Sequence, residues 1–101
     1  MDLVNAISKA RFSAAKPQRI QLHKGRSLVA ELLCMEAGQQ INVDAGEWAY
    51  YVIAGAGRIS VAEQQAALPA GQMAAPGPGQ PHVLANVGEQ RLVCLAVTSA
   101  K

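Results

Sequence analysis

The side chains of this 101-residue chain that could perform acid–base or metal chemistry are few and scattered. The two histidines are His23, beside a Lys-Gly turn, and His82, which follows a stretch rich in proline and glycine. Two of the carboxylates Asp44, Glu47, Glu31 and Glu36 could form an acid–base pair if the fold brings them together, which sequence spacing does not establish. Four glutamates are nevertheless interpreted as solvated surface charges: Glu31, Glu36, Glu63 and Glu89.

Other common catalytic patterns are absent from the sequence. It contains no Gly-x-Gly-x-x-Gly or Walker loop for phosphate and no Gly-x-Ser-x-Gly nucleophile turn. Cys34 and Cys94 are far apart and each lies among aliphatic residues, which predicts buried, unreactive thiols. The sequence therefore supports neither a phosphate-binding loop nor nucleophilic catalysis.

Composition limits the partners. Nine basic residues oppose seven acidic ones, and the resulting charge of +2 is scattered, so nucleic acid is not an expected partner. No apolar run approaches the roughly 20 residues of a membrane span, and the N-terminus lacks a secretory pattern, so a cytoplasmic location without membrane contact is expected.

Half of the residues are apolar and only 16% are charged. A homodimer is therefore expected, because outward-facing Tyr51 and Ile53 would otherwise meet water.

Short runs of alternating or continuous apolar residues, separated by glycine and proline, predict strands after Pro17. The predicted strands are residues 19–23, 28–35, 40–43, 48–54, 58–62, 65–68, 72–75, 82–87 and 91–98. Before them, Leu3, Ile7 and Ala10 have helical spacing behind Asp2, a good helix N-cap, which predicts a short N-terminal helix or arm. The sequence thus predicts one all-β domain over residues 1–101, with an arm at 1–17 and a barrel at 18–98.

From Gly38 to Asn86 the spacing resembles the two-motif signature of the cupin superfamily. The first motif runs glycine, five residues, His-x-His, three or four residues, glutamate, six residues, glycine; here Gly55 closes it, and residues 51–57 look like the family's Tyr-Val-Leu-x-Gly-x-Gly hairpin. In that register Gly38 lies two residues too close to the first ligand position. The second motif places Gly71, Gly79, His82 and Asn86 at the family's spacing. The resemblance implies a double-stranded β-helix, a jelly-roll barrel.

Metal-dependent cupins bind iron, manganese, zinc or nickel through positions that here correspond to Asn42, Asp44, Trp48 and His82. An amide is a weak ligand and an indole has no lone pair to offer, so the resemblance implies no metal and no cofactor. Trp48 is expected at the position of the metal-binding glutamate. A β-bulge that turns Glu47 inward would be the alternative source of a carboxylate.

The leading hypothesis is a metal-free module that binds a small molecule or serves a structural role. The residues expected near the barrel mouth are Asn42, Asp44, Trp48, Tyr50, Met73 and His82. The alternative is a cupin enzyme, an oxygenase or isomerase, with an irregular metal site or with His82 as acid or base. For His82 itself, a hydrogen-bonded wall residue is favoured over a metal ligand. In a third hypothesis the protein is a subunit or regulator that acts through its surface.

Overall fold

The computed structural model describes residues 1–100, which form nine strands and one 3-10 turn. The 3-10 turn is Ile7–Lys9. The strands are β1 (Gln18–Lys24), β2 (Leu28–Met35), β3 (Gln40–Val43), β4 (Trp48–Ala54), β5 (Ala56–Val61), β6 (Gln64–Pro69), β7 (Met73–Ala74), β8 (His82–Asn86) and β9 (Leu92–Ser99). Each of the nine predicted strands overlaps one of these, so the all-β prediction is confirmed.

The strands form two antiparallel sheets, as in a jelly-roll barrel. The five-stranded sheet has the order β1-β2-β9-β4-β7, and the four-stranded sheet has the order β3-β8-β5-β6. Apolar side chains from both sheets form the main core between them, including Leu33 and Val52 from one sheet and Ile59 and Leu84 from the other. The two sheets therefore face each other across a shared interior, which confirms the predicted barrel.

Period-two alternation along β4 sorts its side chains between two environments. Trp48, Tyr50 and Val52 belong to the main core or pack against it, while Tyr51 points outward and is 43% exposed. Ile53 also points outward, but it packs into a second cluster beneath the N-terminal arm. The alternation predicted for this strand is confirmed. Ile53 therefore meets water with only part of its side chain, because the rest packs against Leu32, Cys34 and Val93.

The arm covers part of the outer face of the five-stranded sheet. Ala6, Ala10 and Phe12 pack against a cluster built on Leu32, Cys34 and Val93, which Ile20, Leu22 and Ile53 extend. The guanidinium carbon of Arg91 lies 4.4 Å from the centre of the Phe12 ring. The barrel thus has a core inside and a smaller apolar layer outside.

Only one short turn of the predicted N-terminal helix forms. Its N-cap is Ala6, which makes no side-chain capping hydrogen bond. Asp2 does not cap a helix; its carboxylate lies 2.6 Å from His23 Nδ1 on β1. A helix this short has almost no stability of its own, so packing of the arm against the sheet decides its path.

The segment predicted as a hairpin at residues 51–57 is a corner between the sheets. β4 pairs with β9 and β7, whereas β5 pairs with β6 and β8. At the corner, Gly55 has φ +85°, and a Cβ there would overlap the Arg91 carbonyl oxygen. Glycine is required at this position for both reasons.

Both cysteines are free and buried, as predicted. Burial raises the pKa of Cys94 to about 12 and also raises the pKa of Cys34, because a thiolate would lose its hydration in either place. No helix within residues 1–100 is long and apolar enough to cross a membrane.

Candidate functional site

A buried tyrosine and a buried histidine meet inside the barrel. Tyr50 on β4 and His82 on β8 come from opposite sheets, and the Tyr50 hydroxyl oxygen lies 2.5 Å from His82 Nε2. On its other side, His82 Nδ1 lies 2.9 Å from the Gln80 carbonyl oxygen. Because that carbonyl can only accept, Nδ1 carries the proton, and Nε2 accepts from the Tyr50 hydroxyl. Both ring nitrogens of His82 are therefore engaged.

Burial sets the chemistry of this pair. Tyr50 is 1% exposed and His82 is 4% exposed. The pKa of Tyr50 is raised chiefly by burial, with smaller influences from Cys94, Arg19 and Glu31. A phenolate is strongly disfavoured there, so Tyr50 acts as a hydrogen-bond donor to the imidazole.

Trp48 lies on the same face of β4, two residues before Tyr50. Its ring stacks on the Tyr50 ring with centres 5.9 Å apart and planes inclined by 4°. The indole N–H donates to the Ala45 carbonyl oxygen at 3.0 Å, and the Arg19 guanidinium carbon lies 5.5 Å from the ring centre. These contacts hold the half-buried indole at the rim of the barrel.

Sequence reasoning missed an ion pair at this rim. Arg19 Nη2 on β1 donates to a Glu31 carboxylate oxygen on β2 at 2.8 Å, and the Glu31 side chain is only 20% exposed. The interpretation of Glu31 as a solvated surface charge is therefore wrong. Alternation along β2 could have located it, because Glu31 shares a face with Leu33 and Met35, which enter the main core.

The other predicted pocket residues lie elsewhere. Asn42 and Asp44 are exposed and, with His82, border a surface groove of about 440 Å³. Met73 is 67% exposed beside Tyr51, on the opposite face of the five-stranded sheet from Tyr50. The structure thus brings Trp48, Tyr50 and His82 into one cluster and leaves Asn42, Asp44 and Met73 outside it.

Contacts between the two motifs support a different register for the first one. If Gly57 closes the motif, Gly38 opens it at the correct spacing, the two histidine positions are Asp44 and Gly46, and the glutamate position is Tyr50. In the structure Tyr50, not Trp48, bonds to His82 of the second motif. The assignment of Trp48 to the glutamate position is therefore corrected to Tyr50.

Backbone contacts support the same register. The Gly38 amide donates to the Asn86 carbonyl at 3.1 Å, the Gly79 amide donates to the Gly46 carbonyl at 2.9 Å, and Gly57 pairs with Asn86. The Asn86 side chain is buried and donates to the Met35 and Gln90 carbonyls. Asn86 therefore acts as a structural clamp where the two motifs meet.

These residues do not fit the metal that the family's motifs imply. Gly46 offers no side chain, the Asp44 side chain is exposed, and the lone pair of His82 Nε2 already accepts the Tyr50 hydroxyl. Within residues 1–100, no group of three or more histidine, cysteine, aspartate or glutamate side chains is placed to hold a metal ion. A stable site needs three or four such ligands.

Glu47 does not turn inward as the alternative carboxylate. It is exposed, and its backbone carbonyl accepts a hydrogen bond from the Thr98 hydroxyl at 2.6 Å. This contact fixes the turn between β3 and β4 outside the barrel.

An open groove of about 350 Å³ lies beside Trp48. Its lining residues are Ser27, Leu28, Glu47, Trp48, Ala49, Ala75, Pro76, Val97, Thr98 and Ser99. Small apolar side chains, hydroxyls, one carboxylate and the indole thus surround a space within the size range of small-molecule sites. Apart from Trp48, none of these groove residues was predicted as a pocket residue.

Similar folds occur in solved structures. The TT1209 protein from Thermus thermophilus superposes with a TM-score of 0.91 at 24% identity, covering 98% of this chain and 97% of that one. An uncharacterized double-stranded β-helix protein from Klebsiella pneumoniae gives 0.88 at 23% identity, covering 99% and 90%. An RmlC-like cupin from Desulfovibrio desulfuricans gives 0.82 at 18%, covering 97% and 96%. At these identities, the likeness establishes the fold alone.

Sequence comparison gives the family. A search of curated proteins found no match to this chain. The family model described as "Cupin domain" matches residues 31–98, which include both motifs and six complete strands, β3 to β8. The chain therefore belongs to the cupin domain family.

Proposed function

We propose that this protein is a metal-free cupin module that binds a small organic molecule in the groove beside Trp48. The observation that carries the proposal is the hydrogen bond between Tyr50 and His82, which occupies the place where the family's glutamate and histidine would hold a metal. With this pair inside the barrel, open space remains at its surface, in the groove that His82 borders with Asn42 and Asp44 and in the groove beside Trp48, and only the latter offers an aromatic ring to an organic ligand.

The lining of the groove supports a ligand with an apolar body and hydrogen-bonding groups. Trp48 and Pro76 offer apolar surface, while Ser27 and Thr98 carry hydroxyls and Glu47 a carboxylate. A small-molecule site is usually lined by apolar side chains together with a small number of polar groups. The indole is already positioned by its contacts with Ala45 and Tyr50, so binding would cost little ordering of the side chain.

Elemental analysis of protein purified without an affinity tag or chelator tests the metal-free half of the proposal. We expect iron, zinc, manganese and nickel far below one equivalent per chain. Near-stoichiometric metal that disappears in His82→Ala would contradict the proposal and support an enzyme with an irregular metal site.

Trp48 is the single tryptophan of the chain, so its fluorescence reports directly on the groove. Titration with a set of small aromatic acids, amines and sugars should give a saturable change for at least one compound, with a Kd on the order of micromolar to millimolar. Ala75→Phe should abolish that change by filling the groove. Ala70→Phe, an exposed alanine outside the groove, is the matched control and should leave it intact. The binding proposal fails if no compound saturates, or if Ala75→Phe binds as the wild type does.

No specific observation favours the enzyme alternative in which His82 acts as acid or base. Its ring is 4% exposed, and both ring nitrogens already have partners. A general acid or base must come within hydrogen-bond distance of the substrate proton, and both nitrogens of this buried ring are directed at Tyr50 and Gln80.

A further inference from the structure

The groove beside Trp48 carries a single charge. Of the ten residues that line it, all within residues 1–100, Glu47 alone is charged. The Glu47 side chain is exposed and takes part in none of the three ion pairs between described residues. A carboxylate without a partner beside a groove favours a positively charged ligand over a negatively charged one, because the latter would be repelled.

Two basic residues near the groove leave this charge in place. The Arg19 guanidinium carbon lies 5.5 Å from the centre of the Trp48 ring, but Arg19 also donates two hydrogen bonds to one oxygen of the Glu31 carboxylate, at 3.2 and 2.8 Å. The Arg19–Glu31 pair has no net charge, so it does not cancel the charge of Glu47. Arg26, between β1 and β2, is exposed and does not line the groove.

The hydrogen-bond donors of two polar side chains next to Glu47 are already used. The Trp48 indole N–H donates to the Ala45 carbonyl oxygen at 3.0 Å, and the Thr98 hydroxyl donates to the Glu47 carbonyl oxygen at 2.6 Å. Thr98 and the Glu47 carboxylate can therefore offer a ligand only oxygen lone pairs, whereas serine hydroxyls can donate or accept. A lining rich in acceptors fits a ligand that supplies N–H donors.

The indole and the apolar part of the lining suit the same kind of ligand. Among aromatic side chains, tryptophan attracts cations most strongly to the face of its ring, and the Arg19 guanidinium already lies over this ring. Leu28 and Ala75 are exposed in the groove and offer apolar surface to a hydrocarbon group. Charge, donors and apolar surface thus point to one chemical class.

We propose that the groove beside Trp48 selects organic amines in their protonated form, with the ammonium group at the Glu47 carboxylate and the apolar body along the indole and Leu28. This assignment rests on the proposed function, because it names the ligand class for the same groove. The groove volume of about 350 Å³ lies at the small end of the range for small-molecule sites, so an amine with one aromatic ring fits it.

Titration of the full chain with three probes of similar shape and different charge tests the assignment. The probes are phenethylamine, phenethyl alcohol and hydrocinnamate, and the fluorescence of Trp48, the single tryptophan, is followed at neutral pH and low salt. We expect the amine to bind about five- to tenfold more tightly than the alcohol, and the acid to bind most weakly. Added salt should reduce the preference for the amine, because it screens an exposed carboxylate.

Glu47→Gln removes the charge and keeps the backbone carbonyl that accepts the Thr98 hydroxyl. In this variant the amine should bind no more tightly than the alcohol, and calorimetric titration checks the constants independently of the indole. Glu63→Gln is the matched control, because Glu63 is an exposed carboxylate outside this groove, and the preference for the amine should persist. Should Glu47→Gln fail to fold, the ranking of the three probes and its salt dependence in the wild type decide the question.

An alcohol or acid that binds as tightly as the amine would overturn the assignment and leave the proposed function standing, as would an unchanged preference in Glu47→Gln. Absence of saturable binding by all three probes would also overturn it, and the proposed function would then fail only if the wider set of compounds gave no saturation either. Amine binding that persists in Ala75→Phe would place the amine outside the groove and contradict both.

Discussion

At the scale of single residues, Tyr50 and His82 form a hydrogen bond inside the barrel, where a buried polar group without a partner would lower the stability of the fold. The hydroxyl donates to Nε2, and Nδ1 donates to the Gln80 carbonyl, so this buried pair leaves no nitrogen or oxygen unpaired. The hydrogen bond also links the two sheets through side chains. In the proposed metal-free barrel, this hydrogen bond takes the place that charged ligands and a cation would have in a metal-binding cupin.

Tyr50→Phe should destabilise the fold by about 1–3 kcal/mol, because it leaves buried His82 Nε2 without a donor. Urea denaturation followed by circular dichroism measures the change. Tyr51→Phe is the matched control, since the Tyr51 ring is 43% exposed and its loss of a hydroxyl should change stability by less than about 0.5 kcal/mol. Equal effects of the two substitutions would show that the Tyr50–His82 bond does not stabilise the fold.

Cys94 should make the protein sensitive to alkali. Burial raises its pKa from 9.0 to about 12, so its contribution to stability is complete below pH 9 and is lost as the pH rises toward 12. Tyr50, whose pKa is also raised by burial, acts in the same direction at higher pH.

The unfolding free energy should therefore fall by roughly 2 kcal/mol between pH 8 and pH 11. Urea titrations of the wild type and Cys94→Ala at both pH values measure it. The variant should lose less stability than the wild type over this range, and equal losses in the two proteins would contradict the role of Cys94.

The choice between Trp48 and Tyr50 shows where sequence reasoning about the site stops. Residues two apart on a strand point to the same face. A shift of two residues in the motif register therefore leaves the alternation pattern unchanged, and the pattern cannot reveal the error. Gly55 and Gly57 both resemble the closing glycine. The sequence carries one signal, because Gly38 has the correct spacing only in the register that Gly57 closes, and the contacts of Tyr50 with His82 and of Gly38 with Asn86 support that register.

At the scale of the elements, local patterns predicted the strands but not their partners. Strands β2, β3 and β4 have the predicted bounds, because alternation and turn residues act over a few neighbours. The assignment of residues 51–57 to a hairpin is wrong because β4 and β5 join different sheets. The pairing of the strands depends on how segments that are distant in the sequence pack together. A short glycine-rich segment carries no information about that packing.

Gly55→Ala tests the corner between the sheets. The substitution should cost about 3 kcal/mol or more, because it adds a clash with the Arg91 carbonyl to the strain of a positive φ. Gly71→Ala is the matched control: φ is +88° but nothing lies within 4 Å of the added Cβ, so only about 1–2 kcal/mol should be lost. Urea denaturation of both variants gives the comparison, and similar losses would mean that Gly55 serves only the backbone angle.

At the scale of the whole molecule, the five-stranded sheet separates two apolar layers, one inside the barrel and one outside it, that are built from different elements. The main core inside the barrel unites both sheets, whereas the outer layer rests on three arm residues, Ala6, Ala10 and Phe12. The homodimer and the cytoplasmic location expected from the sequence stay predictions. The two layers differ in their contacts, so they should also differ in how readily they open.

The two cysteines report on these layers separately, since Cys34 lies under the arm and Cys94 belongs to the main core. We expect the Cys34 thiol to react with Ellman's reagent at urea concentrations below those that change Trp48 fluorescence, because the arm can leave while the barrel stays closed. The Cys94 thiol should react only as the fluorescence changes. Cys34→Ser and Cys94→Ser assign the two reactions. Parallel reaction of both thiols with the fluorescence transition would instead mean that the arm and the barrel unfold as one cooperative unit.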